Sequence, residues 1–151
     1  MENILCNMVK INRGKDVLVL DKVKEYGWEG LTFPGGHVEK FESITESVIR
    51  EAKEETNLDI KNIKYVGMIS WYDLDNEDRI VGFLYETDDF SGELIRENIE
   101  GTLEFVDYEK LKTMDGQSDS MDEIFDIYDG VCSEIVLYYK NNKCVKKECY
   151  K

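Results

Sequence analysis

The chain has 151 residues, 42% of them hydrophobic and 11% aromatic, which suits a single globular domain over residues 1–151 with a buried core. Its 33 acidic and 19 basic side chains give a net charge of −14, which argues against a surface for long nucleic acid, whose phosphates need cations. No apolar run is long enough to span a membrane, MENILCNMVK lacks the pattern of a secretory leader, and Cys6, Cys132, Cys144 and Cys149 show no C-x-x-C spacing; the expectation is a cytoplasmic protein with reduced thiols, a monomer or homodimer.

Ile4 to Ile11 alternates loosely and predicts a strand, Asn12 to Lys15 a turn, and Asp16 to Val23 the hairpin partner, with Val17, Leu18, Val19 and Leu20 largely buried. Lys24 to Gly30 reads as a loop whose Tyr26 and Trp28 are candidates to stack on a base or to join the core. Leu31 to Phe33 predicts a short strand leading into the break Pro34-Gly35-Gly36. Ser43 followed by Glu46 is a capping-box pattern, so a helix begins after Ser43; the next thirteen residues hold no Gly or Pro, and Asn57 suits a left-handed helix stop.

At about 100° per residue, Glu51, Glu54 and Glu55 share one arc of that helix. Thr45, Val48, Ile49, Ala52 and Thr56 fall on a neighbouring arc expected to pack on a sheet, and Glu46 and Lys53 face away. Three carboxylates on one arc repel each other unless a cation sits among them, and hard oxygen ligands favour Mg²⁺ or Mn²⁺. A plain acidic helix face explains any one glutamate, but not the whole spacing of glycine, arginine and glutamates described below.

Ile63 to Tyr72 and Arg79 to Glu86 predict strands flanking a polar turn, Asp73 to Asp78. Asp88 to Gly92 reads as a loop, Glu97 to Gly101 as a polar segment, and Thr102 to Val106 as a strand. Asp107 is a candidate cap for a short helix over Tyr108 to Leu111, and Met121, Ile124, Phe125 and Tyr128 give Asp119 to Tyr128 a helical apolar stripe. Lys140-Asn141-Asn142 joins two further strands, Glu134 to Tyr139 and Lys143 to Tyr150; the five lysines of the last twelve residues read as charge guarding a sheet edge.

Gly36, Glu42, Arg50, Glu51, Glu54 and Glu55 stand at the spacing G-x5-E-x7-R-E-U-x-E-E-x-G-U, with Ala52 and Leu58 at the apolar U positions. This resembles the Nudix box; Asn57 departs from its usual glycine. The resemblance implies the Nudix fold, an α+β arrangement with a mixed β-sheet core between helices, and hydrolysis of a nucleoside diphosphate linked to another moiety. It implies Mg²⁺ or Mn²⁺ held by Glu51, Glu54, Glu55 and the Gly35 carbonyl, with Arg50 orienting the glutamates and Glu42 supporting it. The general base is implied to be Glu51, or Glu100, which looks like the extra loop glutamate of MutT-type members and is also a candidate metal ligand.

Phe33-Pro34-Gly35-Gly36 looks most like that MutT-type branch, which converts oxidised purine nucleoside triphosphates such as 8-oxo-dGTP to the monophosphate and pyrophosphate. Phe33 would then lie near the base, Gly36 beside the phosphates, and Asp119 or Asp122 would read the base edge. Dinucleoside polyphosphates and ADP-ribose are alternative small-molecule substrates, Tyr72 being a faint pointer to the former. A non-catalytic nucleotide-binding Nudix module is a further alternative, which the retained arginine and glutamates argue against. His37, the only histidine, reads as a surface strand residue without a metal-ligand partner at ligand spacing.

Overall fold

The computed structural model describes residues 2–23 and 29–151. Tyr26 and Trp28 therefore lie outside the described residues. Twelve strands and three helices follow in chain order among the described residues: β1 (Asn3–Arg13), β2 (Asp16–Lys22), β3 (Gly30–Thr32), β4 (Gly35–His37), α1 (Ile44–Thr56), β5 (Asp59–Lys61), β6 (Lys64–Asp73), β7 (Asp78–Thr87), β8 (Asp89–Ser91), β9 (Glu97–Asn98), β10 (Gly101–Asp107), α2 (Tyr108–Leu111), α3 (Met121–Tyr128), β11 (Glu134–Lys140) and β12 (Lys143–Tyr150). The main sheet runs β12-β11-β6-β7-β1-β2-β10-β9, with β3 on β2 and β4 on β1. It is mixed, because β1 pairs with β7 and β11 with β6 in parallel while the other pairs are antiparallel.

Burial on both faces of β2 shows where the helices sit. Successive strand residues point to opposite faces. Val17 and Val19 join Met121, Ile124 and Phe125 of α3 in one apolar cluster. Leu18 and Leu20 join Val48 and Ala52 of α1 in the other. The two helices therefore cover opposite faces of the sheet, and Val17, Leu18, Val19 and Leu20 are all buried as their sequence requires.

Strands β1 and β2 pair only near their hairpin, at Asn12–Val17 and Arg13–Asp16. Further along, β1 takes β4 as its neighbour, with Met8 opposite Gly35 and Cys6 opposite His37, while β2 takes β3 and β10. The two strands splay, and a cleft opens where they part.

Helix α1 starts and stops at the predicted residues. Ser43 accepts the Glu46 N–H at 3.0 Å, and Asn57, at φ +67°, donates its own N–H to the Lys53 carbonyl. Asp107 caps α2 through the Lys110 N–H. Asn141 and Asn142, both at positive φ, turn the β11–β12 hairpin. The solvated outer strand β12 carries Lys143, Lys146 and Lys147 along the sheet edge.

Three expectations are corrected. Asp88 to Gly92 is not all loop: β8 forms there and pairs with β5. Thr45 and Ile49 are exposed, and the inward face of α1 holds Ser47, Val48, Ala52, Glu55 and Thr56. The face is rotated because α1 also packs on β4 and β1, where Ser47 accepts the Asn7 side-chain N–H at 2.8 Å. Finally, Cys132 and Cys149 are joined as a disulfide rather than standing as free thiols. Pairing of β11 with β12 sets Cys149 opposite Ile135, three residues past Cys132, a proximity invisible in a 17-residue separation.

Candidate active site

The cleft, about 380 Å³, is lined on its floor by Cys6 and Met8 of β1 and Gly82 and Leu84 of β7. Strand registers set its lateral order. Gly82 lies beside Cys6, and Cys6 faces His37. Trp71 of β6 stands against Gly82, where an added Cβ would meet its indole at 3.2 Å, and donates its Nε1–H to Ser120 at 2.9 Å. One side of the cleft is thus aromatic and apolar, with Phe33, Leu84 and Ile124 behind it. The other side is carboxylate-rich and is built by β4 and α1.

Gly35 and Gly36 let the helix approach the strand. A Cβ on Gly35 would collide with the backbone of Asn7 and Met8, and one on Gly36 with the Glu51 carboxylate. Only glycine leaves room for those contacts. The Gly35 N–H donates to Glu55 at 2.8 Å, and the Gly36 N–H to the Asn7 side chain at 3.2 Å.

Arg50 ties the acidic cluster together. It donates to Glu42 from Nε at 2.6 Å and from Nη2 at 2.9 Å, to Glu51 at 2.9 Å, to Glu54 at 3.2 Å and to the His37 carbonyl at 3.0 Å. The paired bonds to Glu42 are the fork geometry in which a guanidinium binds a carboxylate best. They hold the Glu42 carboxyl down at about 2 and push the guanidinium upward. Glu51 is half-buried, and desolvation raises its pKa against the pull of Arg50.

Glu55 is only 4% exposed and one carboxylate oxygen, Oε2, has no hydrogen-bond partner. Burial, then the neighbouring Glu100 carboxyl, push it up to about 9. Glu100 reaches this position from the β9–β10 turn. The Asn98 side chain accepts the N–H groups of Glu100 and Gly101 at 2.8 and 3.0 Å and donates to the Glu55 carbonyl at 2.9 Å. Lys22 of β2 stands 3.7 Å from Glu100. Among the described residues no three such side chains are drawn around one point, because Arg50 engages Glu51 and Glu54 while Glu55 bonds Gly35.

Of the residues singled out in sequence, Phe33, Gly35, Gly36, Glu51, Glu100 and Asp119 line one cleft. Glu55 lies beneath its Gly35 side, and Arg50 of α1 braces it together with Glu42 from the loop before the helix. Phe33 is buried and meets Phe125 and Tyr128 edge-on, so it backs the cleft as core. Asp122 is exposed on α3 and does not line the cleft. Tyr72 points to the other face of β6, stacked on Tyr138, while its neighbour Trp71 faces the cleft. Sequence reading passed over Trp71, Lys22 and Cys6. Period-two alternation along β1 and β6 marks which neighbours share a face, but not which face a cleft will open on. The signal that marks the Glu100 brace, Asn98 two residues earlier, is a turn-forming residue type that the reading of Glu97 to Gly101 as a polar segment left unused.

The NUDIX domain model matches residues 6–126. The chain belongs to this family. An uncharacterized Nudix hydrolase of Bacillus subtilis (strain 168) is 33% identical over 102 residues, 65% of this chain and 62% of that protein. An NAD-capped RNA hydrolase of Actinobacillus succinogenes is 37% identical over 91 residues, 58% of this chain and 33% of that protein. The matched part thus spans between a third and three fifths of these relatives' length. Among solved structures, the mutator MutT protein from Bacillus halodurans superposes with a TM-score of 0.80 at 23% identity, covering 96% of both chains, a likeness that shows the Nudix fold.

Proposed function

We propose that this Nudix protein hydrolyses the phosphoanhydride of a nucleoside triphosphate, releasing the nucleoside monophosphate and pyrophosphate, in a reaction dependent on Mg²⁺ or Mn²⁺. The observation that carries the reading is the buried Glu55, whose Oε2 has no partner, set beside Glu100, Glu51 and the Gly35 turn. An unpartnered buried carboxylate oxygen among other carboxylates is costly unless a cation balances it. The donor set is all hard oxygen, which fits Mg²⁺ or Mn²⁺. Glu51, Glu54, Glu55, Glu100 and the Gly35 carbonyl would hold the ion. When bound, such a cation neutralises phosphate oxygens and lowers the pKa of water.

The chain's own residues supply position and proton transfer. Arg50, locked by Glu42, holds Glu51 in place. Glu51 or Glu100 takes the proton of the attacking water, and Glu100→Gln separates the two: a large fall in kcat supports Glu100, a small one leaves Glu51. Lys22 offers a positive charge to the phosphates from the facing strand. The base lies at the aromatic end of the cleft, between Trp71 and the Asp119 edge, which suits a purine such as that of 8-oxo-dGTP. The likeness to the mutator MutT protein of Bacillus halodurans agrees with this branch, and the similarity to the NAD-capped RNA hydrolase of Actinobacillus succinogenes makes a nucleoside diphosphate with a larger leaving moiety the second reading.

The test is a turnover screen of purified protein over nucleoside triphosphates, ADP-ribose and dinucleoside polyphosphates. Activity lost in excess EDTA and restored by Mg²⁺ or Mn²⁺ is the expected result. Full turnover in EDTA contradicts the proposal.

A further inference from the structure

Ser120 precedes α3 in the left-handed region, at φ +66°. A residue at a helix N-cap is ordinarily extended, and its side-chain oxygen accepts an N–H of the first turn. Ser120 does neither, since its side chain makes no bond to the helix. It is buried, so solvent does not take the place of that bond. A strained backbone and a forgone cap at one residue are not what helix stability selects.

The hydroxyl is turned to β6 and β11 instead. It accepts the Trp71 Nε1–H at 2.9 Å, and it also hydrogen-bonds the Tyr139 side chain. The Tyr139 hydroxyl donates to Asp119 at 3.5 Å. Asp119 lines the cleft together with Trp71 and Ser118. Against the indole lies Gly82, where an added Cβ would meet the ring at 3.2 Å. The strand on one side and the hydroxyl at its N–H hold the indole in one orientation. Strands β6 and β11 and the turn before α3 thus meet at one serine hydroxyl.

We propose that Ser120 is a positioning residue for base selection: it fixes the Trp71 ring and sets Asp119 beside it, so that the base end of the cleft presents one rigid surface on which a purine binds better than a pyrimidine. This rests on the cleft being a nucleotide site as read above. A fused double ring covers more of an indole than a single ring does, so it gains more from an indole that does not turn. A side chain fixed in advance also spares the ligand the cost of ordering it. Ser120 stands at the aromatic side of the cleft, away from the carboxylates of α1, so its effect falls on the base rather than on the phosphates.

The experiment compares wild type, Ser120→Gly and Ser120→Thr. Glycine suits φ +66° and lacks the hydroxyl, so the fold is kept while the bond to Trp71 is lost. Threonine keeps the hydroxyl on a backbone it resists, so it should lower Tm and retain selectivity. The first readout is the indole N–H resonance of ¹⁵N-labelled protein; the chain has two tryptophans, and Trp28→Phe assigns the peak of Trp71. The second is the ratio of kcat/KM for dGTP to that for dCTP in Mg²⁺. In Ser120→Gly the Trp71 peak should move upfield, and the ratio should fall about tenfold through KM for dGTP, the scale of one base stacked on one ring. Ser120→Thr should keep both near wild type. An unmoved peak or an unchanged ratio in Ser120→Gly overturns the proposal, as does a Ser120→Thr protein that keeps the peak and loses the ratio. In a protein that hydrolyses neither nucleotide, the affinities of the non-cleaved α,β-methylene analogues give the ratio. A wild-type Trp71 peak that neither analogue shifts overturns the nucleotide reading of the cleft, and the selectivity role with it, even where Ser120→Gly displaces that peak.

Discussion

Glu55 accepts the backbone N–H of Gly35 at 2.8 Å, a bond between the penultimate residue of α1 and the turn twenty residues earlier. It places a buried carboxyl beneath the two glycines and leaves its second oxygen unpartnered. The helix, the turn and the Glu100 loop are coupled through this one side chain, so the cost of charging it is felt by the whole site.

Metal-free stability should therefore depend on pH through Glu55. The folded state holds its proton up to about 9, while the unfolded chain releases it near 4.5. The fold binds more protons across that window, so stability falls as pH rises from about 4.5 to about 9. Glu42 runs the other way, its depressed pKa of about 2 adding stability that is lost only as pH drops below about 4.5. Urea melts in EDTA from pH 5 to pH 9 should show wild type losing stability relative to Glu55→Gln. Parallel curves for the two proteins contradict the assignment.

The left-handed stop of α1 gives a second prediction. Asn57→Val should destabilise by about 1–2 kcal/mol more than Asn57→Gly, because a β-branched residue resists φ +67°. Asn57→Gly also loses the side-chain bond to the Glu93 carbonyl, so it should fall slightly below wild type. Equal urea midpoints for the Val and Gly variants would disprove the role of backbone conformation.

The Cys132–Cys149 disulfide closes a 17-residue separation between a buried and an exposed cysteine. A bridge of that span stabilises by about 3 kcal/mol in the chain-entropy account. Cys149→Ser, or a dithiol added to wild type, should lower the urea midpoint, with dithiol having no further effect on the variant. A midpoint insensitive to reductant in wild type is the contrary outcome.

Local chemistry was legible in sequence wherever a few neighbouring residues decide the backbone. Ser43, Asn57, Asp107 and the Asn141-Asn142 turn all act within a few residues of themselves. The six-residue spacing of the box placed Arg50 and its carboxylates because a helix carries them at fixed angles. What escaped depends on tertiary contact. The burial of Ser47 and Glu55 needs β4 beneath α1, the pairing of β5 with β8 joins two distant tripeptides through Ile60 and Phe90, and the facing of Trp71 and Tyr72 depends on which side of β6 the cleft opens. The disulfide needed the β11–β12 register before two distant cysteines could meet.

Initial rates of nucleoside triphosphate hydrolysis in Mg²⁺, for wild type, Glu51→Gln and Glu46→Gln, test the placement of the chemistry on one face of α1. Glu51 lines the cleft and Glu46 is exposed outside it. Glu51→Gln should lower kcat about 10²-fold or more, the scale of a positioned acid–base or electrostatic group, and Glu46→Gln should leave it nearly unchanged. A Glu46→Gln variant as damaged as Glu51→Gln, at equal fold stability, would contradict the account.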